Sequence, residues 1–468
     1  MNIQSNRRLT LGFSIPFFLL ITILHPSSSF SQGALTPPGP PAATMKTLDQ
    51  IEPRRPLKQS DFPLTVSAPI SAYLTENISV SAQNTPGISI FSSDVTIDLN
   101  GFTLTGPGSG AGTSGDGIVC AAQTFRISVA NGNLYNWRGS GIDLSATLDA
   151  QVKGIQAFVN GADGIKVGNS CTVSECTAQS NTLNGIEVGD SCSIDHCTAR
   201  SNNMNGIDGG QTCVVSNCTA DSQGSGIGIR TREGGAIYGC TARQNGLGIE
   251  ITQYGSLSNC SSFMNVGQGF ELLGCSSSNC TAKGNGGDGF SGSVACVFTG
   301  CSSVGNAVYG FNLGGGCSVT GCVAFNNTLD GFSLASNSSA VGCSAAGNQM
   351  NGFRAGTNSS ITNCSSYNNQ ASGYRFFFRC HATNNTSYSN SGNGFEDGGG
   401  STIDGNSAVN NSMPGFVTDS GSGGSLIVRN MAENNSGGGF SILGTHKTGA
   451  IITGSGTISA DPWANFSL

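Results

Sequence analysis

A glycine followed by a large apolar residue recurs along most of this 468-residue chain. From Ile165 to Phe416 the apolar members are always 20, 21 or 22 residues apart. The full set is Ile118, Ile142, Ile165, Ile186, Ile207, Ile227, Ile249, Phe270, Phe290, Phe311, Phe332, Phe353, Tyr374, Phe395, Phe416 and Phe440. A fixed period of this length is typical of a solenoid, in which each repeat buries its apolar face against the next.

Two further residue types keep the same period. Cysteine occurs at Cys176, Cys197, Cys218, Cys240, Cys260, Cys280, Cys301, Cys322, Cys343 and Cys364. Asparagine follows five positions later at Asn181, Asn202, Asn245, Asn265, Asn285, Asn306, Asn327, Asn348 and Asn369, and continues at Asn390 and Asn411. Three periodic columns in one register define the repeat unit.

The repeat at residues 185–205 shows how one unit is folded. Apolar and polar residues alternate in three short segments around Ile186, Ile194 and Ala199, which is the period of a strand. The Gly, Asp and Asn residues between them are typical of turns, and no segment has the period of a helix. The pattern predicts an all-β parallel β-helix solenoid with capped ends, about 16 or more rungs of about 21 residues, and three short strands per rung.

Composition agrees with this architecture and excludes others. The 70 glycines do not fall at every third position, which excludes collagen. Gly and Asn tolerate the left-handed backbone of tight turns, and stacked Asn side chains can hydrogen-bond along the rod. A net charge of −7 without a basic patch makes nucleic acid an unsuitable partner. The change from Ile to Phe near residue 270 suggests a wider core in the second half.

The segments before the repeats predict export. Arg7 and Arg8 precede an apolar run at 9–24, and Ser29 and Ser31 offer a small-residue cleavage site, so we interpret 1–31 as a signal peptide. We assign 32–61 to a Pro-rich spacer, 62–116 to the N-terminal cap and first rungs, 117–448 to the β-helix repeats and 449–468 to the C-terminal cap. We expect a monomer that is secreted, periplasmic or at the cell surface, with no integral membrane segment after cleavage.

The rungs, together with the segment D-V-T-I-D-L-N-G-F at 94–102, resemble right-handed parallel β-helix repeat proteins of the pectate-lyase-like superfamily. The resemblance covers about residues 62–460 and implies a right-handed coil. The superfamily includes lyases, hydrolases, epimerases and adhesins, so the resemblance specifies a fold far better than an activity.

Eighteen cysteines are compatible with disulfides in an exported protein, or with small side chains stacked inside the rod. We favour mostly buried thiols, and vertical bridges between rungs remain the alternative because stacked Cα atoms would lie within disulfide range. A zinc site is disfavoured, because the recurring spacing is C-x₄-C and the four histidines do not cluster with the cysteines.

The residue after each apolar member should point outward, because successive strand residues face opposite sides. These positions give Asp143, Lys166, Glu187, Asp208, Gly228, Glu250 and Glu271, and Arg230 lies two residues beyond Gly228 on the same face. Ligand-binding candidates are Asp143, Lys166, Glu187, Asp208, Glu250 and Glu271, and catalytic candidates are Glu187, Asp208, Arg230, Glu250 and Glu271.

Two functions compete for this acidic stripe. The first is a non-catalytic module that associates with a polysaccharide or cell-surface glycan, or serves as a structural rod. The alternative is an enzyme: the resemblance implies a lyase whose acids hold Ca²⁺ and whose Arg230 or Lys166 removes a proton, and paired carboxylates could instead hydrolyse glycosides.

A second, weaker candidate is the apolar run at 376–378, which Arg375, Arg379 and His381 surround. We interpret it as a locally repacked core rather than a loop that stacks on a sugar.

Overall fold

The computed structural model describes residues 53–108, 115–419, 423–454 and 459–468. The predicted signal peptide and most of the predicted spacer lie outside the described residues. In the described ranges no helix is both long and apolar enough to cross a membrane. Residues 54–468 form one unit in which the chain coils through three faces per turn.

The first face is a parallel sheet of eighteen strands, one from each turn of the coil. In chain order they are Leu64–Val66, Ile88–Ile90, Ile118–Cys120, Ile142–Leu144, Ile165–Val167, Ile186–Val188, Ile207–Gly209, Ile227–Thr231, Leu247–Ile251, Phe270–Leu272, Phe290–Gly292, Phe311–Leu313, Phe332–Leu334, Phe353–Ala355, Tyr374–Phe376, Phe395–Asp397, Phe416–Thr418 and Phe440–Ser441. Eighteen turns confirm the prediction of about 16 or more rungs.

The second and third faces share one sheet of 36 strands, because two early strands run through both faces without a break. These two are Ile127–Tyr135 and Gln151–Phe158. The other strands of the second face are Arg55–Leu57, Ile70–Leu74, Val95–Asp98, Thr172–Ser174, Ser193–Asp195, Val214–Ser216, Ala236–Tyr238, Ser256–Ser258, Ser276–Ser278, Val297–Thr299, Ser318–Thr320, Ser339–Val341, Ser360–Thr362, His381–Thr383, Thr402–Asp404, Leu426–Val428 and Lys447–Thr448.

The third face completes the predicted three strands per turn. Its strands are Ile78–Ser79, Thr103–Thr105, Thr177–Gln179, Thr198–Arg200, Thr219–Asp221, Thr241–Arg243, Ser261–Phe263, Thr281–Lys283, Ser302–Val304, Val323–Phe325, Ser344–Ala346, Ser365–Tyr367, Thr386–Tyr388, Ser407–Val409, Met431–Glu433 and Asn465–Ser467, with Ile451–Thr453 paired to the last. A short pair, Thr124–Phe125 and Thr147–Leu148, and a 3₁₀ turn at Gln59–Asp61 complete the elements.

The strand register places equivalent residues directly above one another, as Ile165 over Ile142. One assignment from the sequence is wrong: Ile207 pairs with Ile229 and not with Ile227, so Arg230 and not Gly228 takes the outward position on that rung. The sequence there, G-I-G-I-R, allows both registers, since a shift of two residues keeps every side chain on the same face.

Aromatic rings stack through the interior of the second half. From Phe270 to Phe440 the neighbouring ring centroids of the first-face column lie 4.6–5.0 Å apart. The Phe298 ring packs edge-on against Phe290 and Phe311, with ring centroids 5.7 and 5.9 Å apart. Gly292 makes room for it, because a Cβ there would lie 3.0 Å from the Phe298 ring.

The interior also carries a hydrogen-bonded column of amides. Asn327 Oδ1 accepts from the backbone N–H of Asn306 at 3.0 Å and from its Nδ2 at 3.0 Å, and Asn327 Nδ2 donates to Asn348 Oδ1 at 3.0 Å. The column comprises Asn160, Asn181, Asn202, Gln223, Asn245, Asn265, Asn285, Asn306, Asn327, Asn348, Asn369, Asn390, Asn411 and Asn435. The predicted hydrogen bonding of stacked Asn side chains is confirmed.

The cysteine column accepts backbone hydrogen bonds in the same way at another corner of the coil. The backbone N–H of Cys343 donates to Cys364 Sγ at 3.3 Å, and that of Cys364 donates to Asn385 Oδ1 at 2.9 Å, where asparagine takes over the column. All 18 cysteines are buried, as predicted, and carry free thiols. Burial raises the pKa of Cys275 and Cys380. The cysteines therefore serve as compact acceptors at the corners of the coil.

Replacing Asn327 by Ala tests the amide column. The substitution leaves the buried N–H of Asn306 without its acceptor, so we expect a loss of about 2–4 kcal/mol in the free energy of unfolding. Urea unfolding followed by circular dichroism measures it, with the exposed Gln349→Ala as the matched control. A loss below about 0.5 kcal/mol, the range of ordinary surface substitutions, would contradict the role of the column.

Candidate functional site

The outward column of the first face brings together all seven predicted site residues. Register pairs join each to the next on successive turns. In order they are Asp143, Lys166, Glu187, Asp208, Arg230, Glu250 and Glu271, and we call this set the charged column. Neighbouring backbones of a sheet are about 4.8 Å apart, so each charge lies against the next.

Lys166 neutralises the first part of the charged column. Its Nζ lies 3.0 Å from Glu187 Oε1 and 4.0 Å from Asp163 Oδ2. Partial burial alone would lower the pKa of Lys166, but the hydrogen bond that its ammonium donates to Glu187 and the nearby carboxylates raise it overall. Asn184 Nδ2 donates to the other oxygen of Glu187 at 2.8 Å. Lys166 and Glu187 are therefore both engaged.

Arg230 neutralises the next part. Its Nη2 and Nε donate to the two oxygens of Asp208 at 2.5 and 3.1 Å, and Arg232 lies 3.8 Å from Asp208. Asp208 is only 4% exposed and also accepts from Asn205 Nδ2 at 3.2 Å. This hydrogen-bonded pairing raises the pKa of Arg230. The guanidinium stays protonated and acts as a clamp for a buried carboxylate.

The far end of the charged column differs in that, within the described residues, its carboxylates are not paired with a cation. Glu250 and Glu271 face each other on neighbouring rungs, and neither forms an ion pair in the part of the chain that the structure describes. Burial raises the pKa of Glu250, although Arg230 acts in the opposite direction. Glu250 Oε2 is buried without a hydrogen-bond partner.

A groove opens over this pair of glutamates. It has a volume of about 290 Å³ and is lined by Glu250, Glu271 and the hydroxyl-bearing Thr252, Ser291 and Ser293. Glutamate oxygens can only accept hydrogen bonds when ionised, whereas hydroxyls donate and accept. The groove thus places two carboxylates beside hydroxyls that can donate or accept.

A buried column flanks the charged one, and the sequence analysis missed it. Its members precede the glycine of some first-face strands; Asp116 is half-buried, and the buried ones are Asp163, Asn184, Asn205, Asp288, Asp330 and Asn351. Asp163 Oδ1 accepts the Asn184 N–H at 2.9 Å, and Asn184 Oδ1 accepts that of Asn205 at 3.0 Å. Burial raises the pKa of Asp116 and Asp163 to about 6. The recurring Asp-Gly and Asn-Gly pairs in the sequence could have indicated this column.

A larger groove lies near the other end of the same face. It has a volume of about 530 Å³ and is lined by Arg375, Phe376, Phe377, Asn393, Glu396, Asp397, Gly398, Val417, Thr418, Asp419 and Leu443. Arg375 Nε lies 3.3 Å from Glu396 Oε1. The Arg354 guanidinium lies 4.9 Å from the Phe377 ring centroid.

This groove corrects the interpretation of the run at 376–378. Phe376 is buried, as expected for repacked core, but Phe377 is 42% exposed and lines the groove. His381 lies instead in the second-face strand His381–Thr383, and Arg379 stacks over Phe378 at 4.9 Å. Of the predicted cluster, Arg375, Phe376 and Phe377 therefore line one groove, and Phe378, Arg379 and His381 do not.

The described residues contain no group of three or more His, Cys, Asp or Glu side chains placed to hold a metal ion. In the charged column Glu187 and Asp208 are already engaged by Lys166 and Arg230. Glu187 and Asp208 are therefore not free to hold a cation, and the Ca²⁺ that the resemblance implies for the acidic stripe stays a prediction.

The raised pKa of Asp163 makes stability depend on pH. Its folded-state pKa of about 6 lies above the ordinary value of 3.8, so its stabilising contribution is complete below about pH 4 and is lost as the pH rises through 6. We expect Asp163→Asn to gain on the order of 2 kcal/mol relative to the wild type between pH 4 and pH 7. Urea unfolding across this range measures the difference, and a pH-independent difference would contradict the assignment.

Residues 184–349 match the family model described as a right-handed beta helix region. No curated protein matches the chain. A match among solved structures is the Azotobacter vinelandii mannuronan C-5 epimerase AlgE6 A-module, with 14% identity, TM-score 0.28, and coverage of 86% of this chain and 90% of that one.

Two other solved structures extend the set. Pectate lyase Pel9A shows 17% identity, TM-score 0.25, and coverage of 66% of this chain and 68% of that one. The Dettilon tailspike protein gp208 shows 14% identity and TM-score 0.33, and the match covers 59% of this chain and 58% of that one, less than two thirds of the tailspike. With its parallel three-faced coil and its family-model match, the chain is a right-handed parallel β-helix repeat protein.

Proposed function

We propose that this protein is a non-catalytic, glycan-binding β-helix that holds a polysaccharide on its first face. The observation that carries the proposal is the groove at Glu250 and Glu271, two carboxylates on neighbouring rungs that form no ion pair among the described residues. Sugar hydroxyls can donate to these carboxylates, and the serine and threonine hydroxyls beside the glutamates can serve the remaining sugar oxygens.

The paired charges argue against catalysis by the residues that a lyase would use. A proton-abstracting base must lose its proton near neutral pH, but neighbouring carboxylates hold both Lys166 and Arg230 in the charged form. Asp208 and Glu187 in turn satisfy these cations. This part of the charged column therefore supports the sheet and the ligand rather than chemistry.

The charge of the column also restricts the ligand. Five carboxylates and two cations give it a net charge of −3. A polyuronate laid along this face would meet repulsion at most rungs, whereas a neutral or amino-bearing polysaccharide would not. Glycans without carboxylates are therefore the favoured ligands.

A glycoside hydrolase is the second candidate, and one observation favours it. Burial raises the pKa of Glu250 while Glu271 faces it on the next rung. Two carboxyl groups in unequal environments are the arrangement by which one donates a proton and the other attacks or activates water. The same groove would then both bind the polysaccharide and cleave it.

We further propose that the protein acts outside the cytoplasm, at the cell surface or in the periplasm. The proposal rests on the n-, h- and c-region order at 1–31.

Glycan titration of two variants tests the function. Hexasaccharides of neutral α- and β-linked glucose, an N-acetylglucosamine hexamer, and a hexagalacturonate with and without Ca²⁺ are titrated calorimetrically, and chromatography and ultraviolet absorbance follow cleavage. We expect a neutral hexamer to bind without cleavage and Glu250→Gln or Glu271→Gln to weaken it about tenfold, because a charged acceptor is lost. Glu433→Gln, outward on the third face, is the control.

Each alternative gives a distinct result. Cleavage by the wild type that Glu250→Gln abolishes while binding persists would establish the hydrolase. A Ca²⁺-dependent rise in ultraviolet absorbance with hexagalacturonate would establish a lyase. Absence of binding to every hexamer would contradict the proposed function.

A further inference from the structure

We infer that the groove between Phe377 and Leu443 is a second glycan subsite, selective for pyranose units that carry a protonated amine. The inference deepens the proposed function and rests on it, because it assumes that the first face holds a saccharide. It concerns a different set of residues from Glu250 and Glu271, about 125 residues further along the chain.

The groove is built by the turn that follows four successive first-face strands. Phe377, Gly398, Asp419 and Leu443 occupy this turn, and the backbone holds it in place: the Gly398 N–H donates to Phe376 O and the Asp419 N–H to Asp397 O, both on the preceding rung. At about 4.8 Å per rung, Phe377 and Leu443 are roughly 14 Å apart along the rod. That length accommodates about two pyranose rings.

Gly398 fixes the backbone of this turn. A Cβ at this position would lie only 1.9 Å from the Phe377 backbone oxygen, so no side chain can stand there without moving the turn. The two turns are therefore closely packed, and they place Phe377 and Gly398 side by side in the lining of the groove.

Two exposed apolar side chains bound the groove. Phe377 is 42% exposed and Leu443 is 53% exposed, although the phenylalanines of the first-face column are buried. The guanidinium groups of Arg354 and Arg375, 4.9 and 5.9 Å from the Phe377 ring centroid, help to fix the ring. The part of the ring that they leave exposed offers apolar surface to the C–H groups of a pyranose.

The charges of the groove select among sugars. Arg375 is paired with Glu396 at 3.3 Å. Asp397 is buried and accepts from Ser425 Oγ at 2.6 Å and the Gly399 N–H at 3.1 Å. Asp419 is exposed and forms no ion pair among the residues that the structure describes. One cation against three carboxylates leaves a net charge of −2, and Asp419 is the carboxylate free to pair.

Arg354 adds a positive charge one rung before Arg375, against the Phe377 ring, and with it the net charge around the groove is −1. The site therefore favours a cation over an anion, and its aromatic wall favours a sugar over a simple ion. An amino sugar with a free amine meets both conditions, whereas an N-acetylated sugar meets only the second and a uronate is repelled.

Calorimetric titration with two matched ligands tests the inference. The β-1,4-linked glucosamine hexamer and its N-acetylated counterpart differ only in the charged amine. At pH 6 and low salt we expect the glucosamine hexamer to bind about tenfold tighter, and 0.5 M NaCl to abolish most of the difference. Asp419→Asn should reduce the preference about fivefold, which is the effect expected from the loss of a single exposed ion pair. It should not change the affinity for the N-acetylated hexamer.

Two further variants separate stacking from charge. Phe377→Ala should weaken both hexamers, while Asp149→Asn, an exposed carboxylate elsewhere on the rod, should change neither. Circular dichroism checks that each variant is folded. If the N-acetylated hexamer binds and responds to Glu250→Gln but the glucosamine preference is absent or ignores Asp419→Asn, the inference is overturned and the proposed function stands. If neither hexamer nor the neutral glucans bind, both fail.

Discussion

Hydrogen bonds between equivalent side chains on successive turns hold the whole rod in one register. At each corner the backbone leaves the sheet, and an N–H that points along the rod needs an acceptor on the next turn. Asn327 supplies it for Asn306, and a thiol or hydroxyl supplies it at the other corners. At one corner Asn replaces Cys as the acceptor while the hydrogen-bonded column continues, as where the Cys364 N–H donates to Asn385. Buried cysteine sulfurs thus take the same acceptor role as asparagine oxygens at these corners.

The fixed register decides what the outer surface can do. Every outward side chain lies against its counterpart on the next turn, so like charges repel unless an opposite charge intervenes. Lys166 and Arg230 intervene in the first part of the charged column. Among the described residues, Glu250 and Glu271 form no ion pair, and neither does Asp419 near the far end. These unpaired carboxylates are the ones that the two proposed subsites use.

The sequence predicted the coil because periodicity alone determines which residues stack. It also predicted the charged column, since strand alternation sends the residue after each apolar member outward. It misplaced one rung because the two isoleucines of G-I-G-I-R, Ile227 and Ile229, lie two residues apart and satisfy the same face. It treated Phe377 as core because a turn residue obeys no strand alternation, and only the folded turn shows it exposed.

The ion pairs could not be predicted from the sequence, for a different reason. The pattern placed Arg230 near the acids and suggested a base, but its role depends on side-chain geometry. Only the two hydrogen bonds to Asp208 show that the guanidinium is a clamp. The buried Asp163 was overlooked similarly, because an Asp before Gly is equally typical of an exposed turn.

Hydroxyl-radical footprinting with and without the glucosamine hexamer tests most directly whether the first face is the binding face. The method reports solvent access of individual side chains. Bound ligand should protect Phe377 and Leu443 on the first face and leave the exposed Phe325 and Tyr388 of the third face unchanged. Protection of Phe325 and Tyr388 with unchanged oxidation of Phe377 and Leu443 would place binding on the third face and contradict the proposed role of the first.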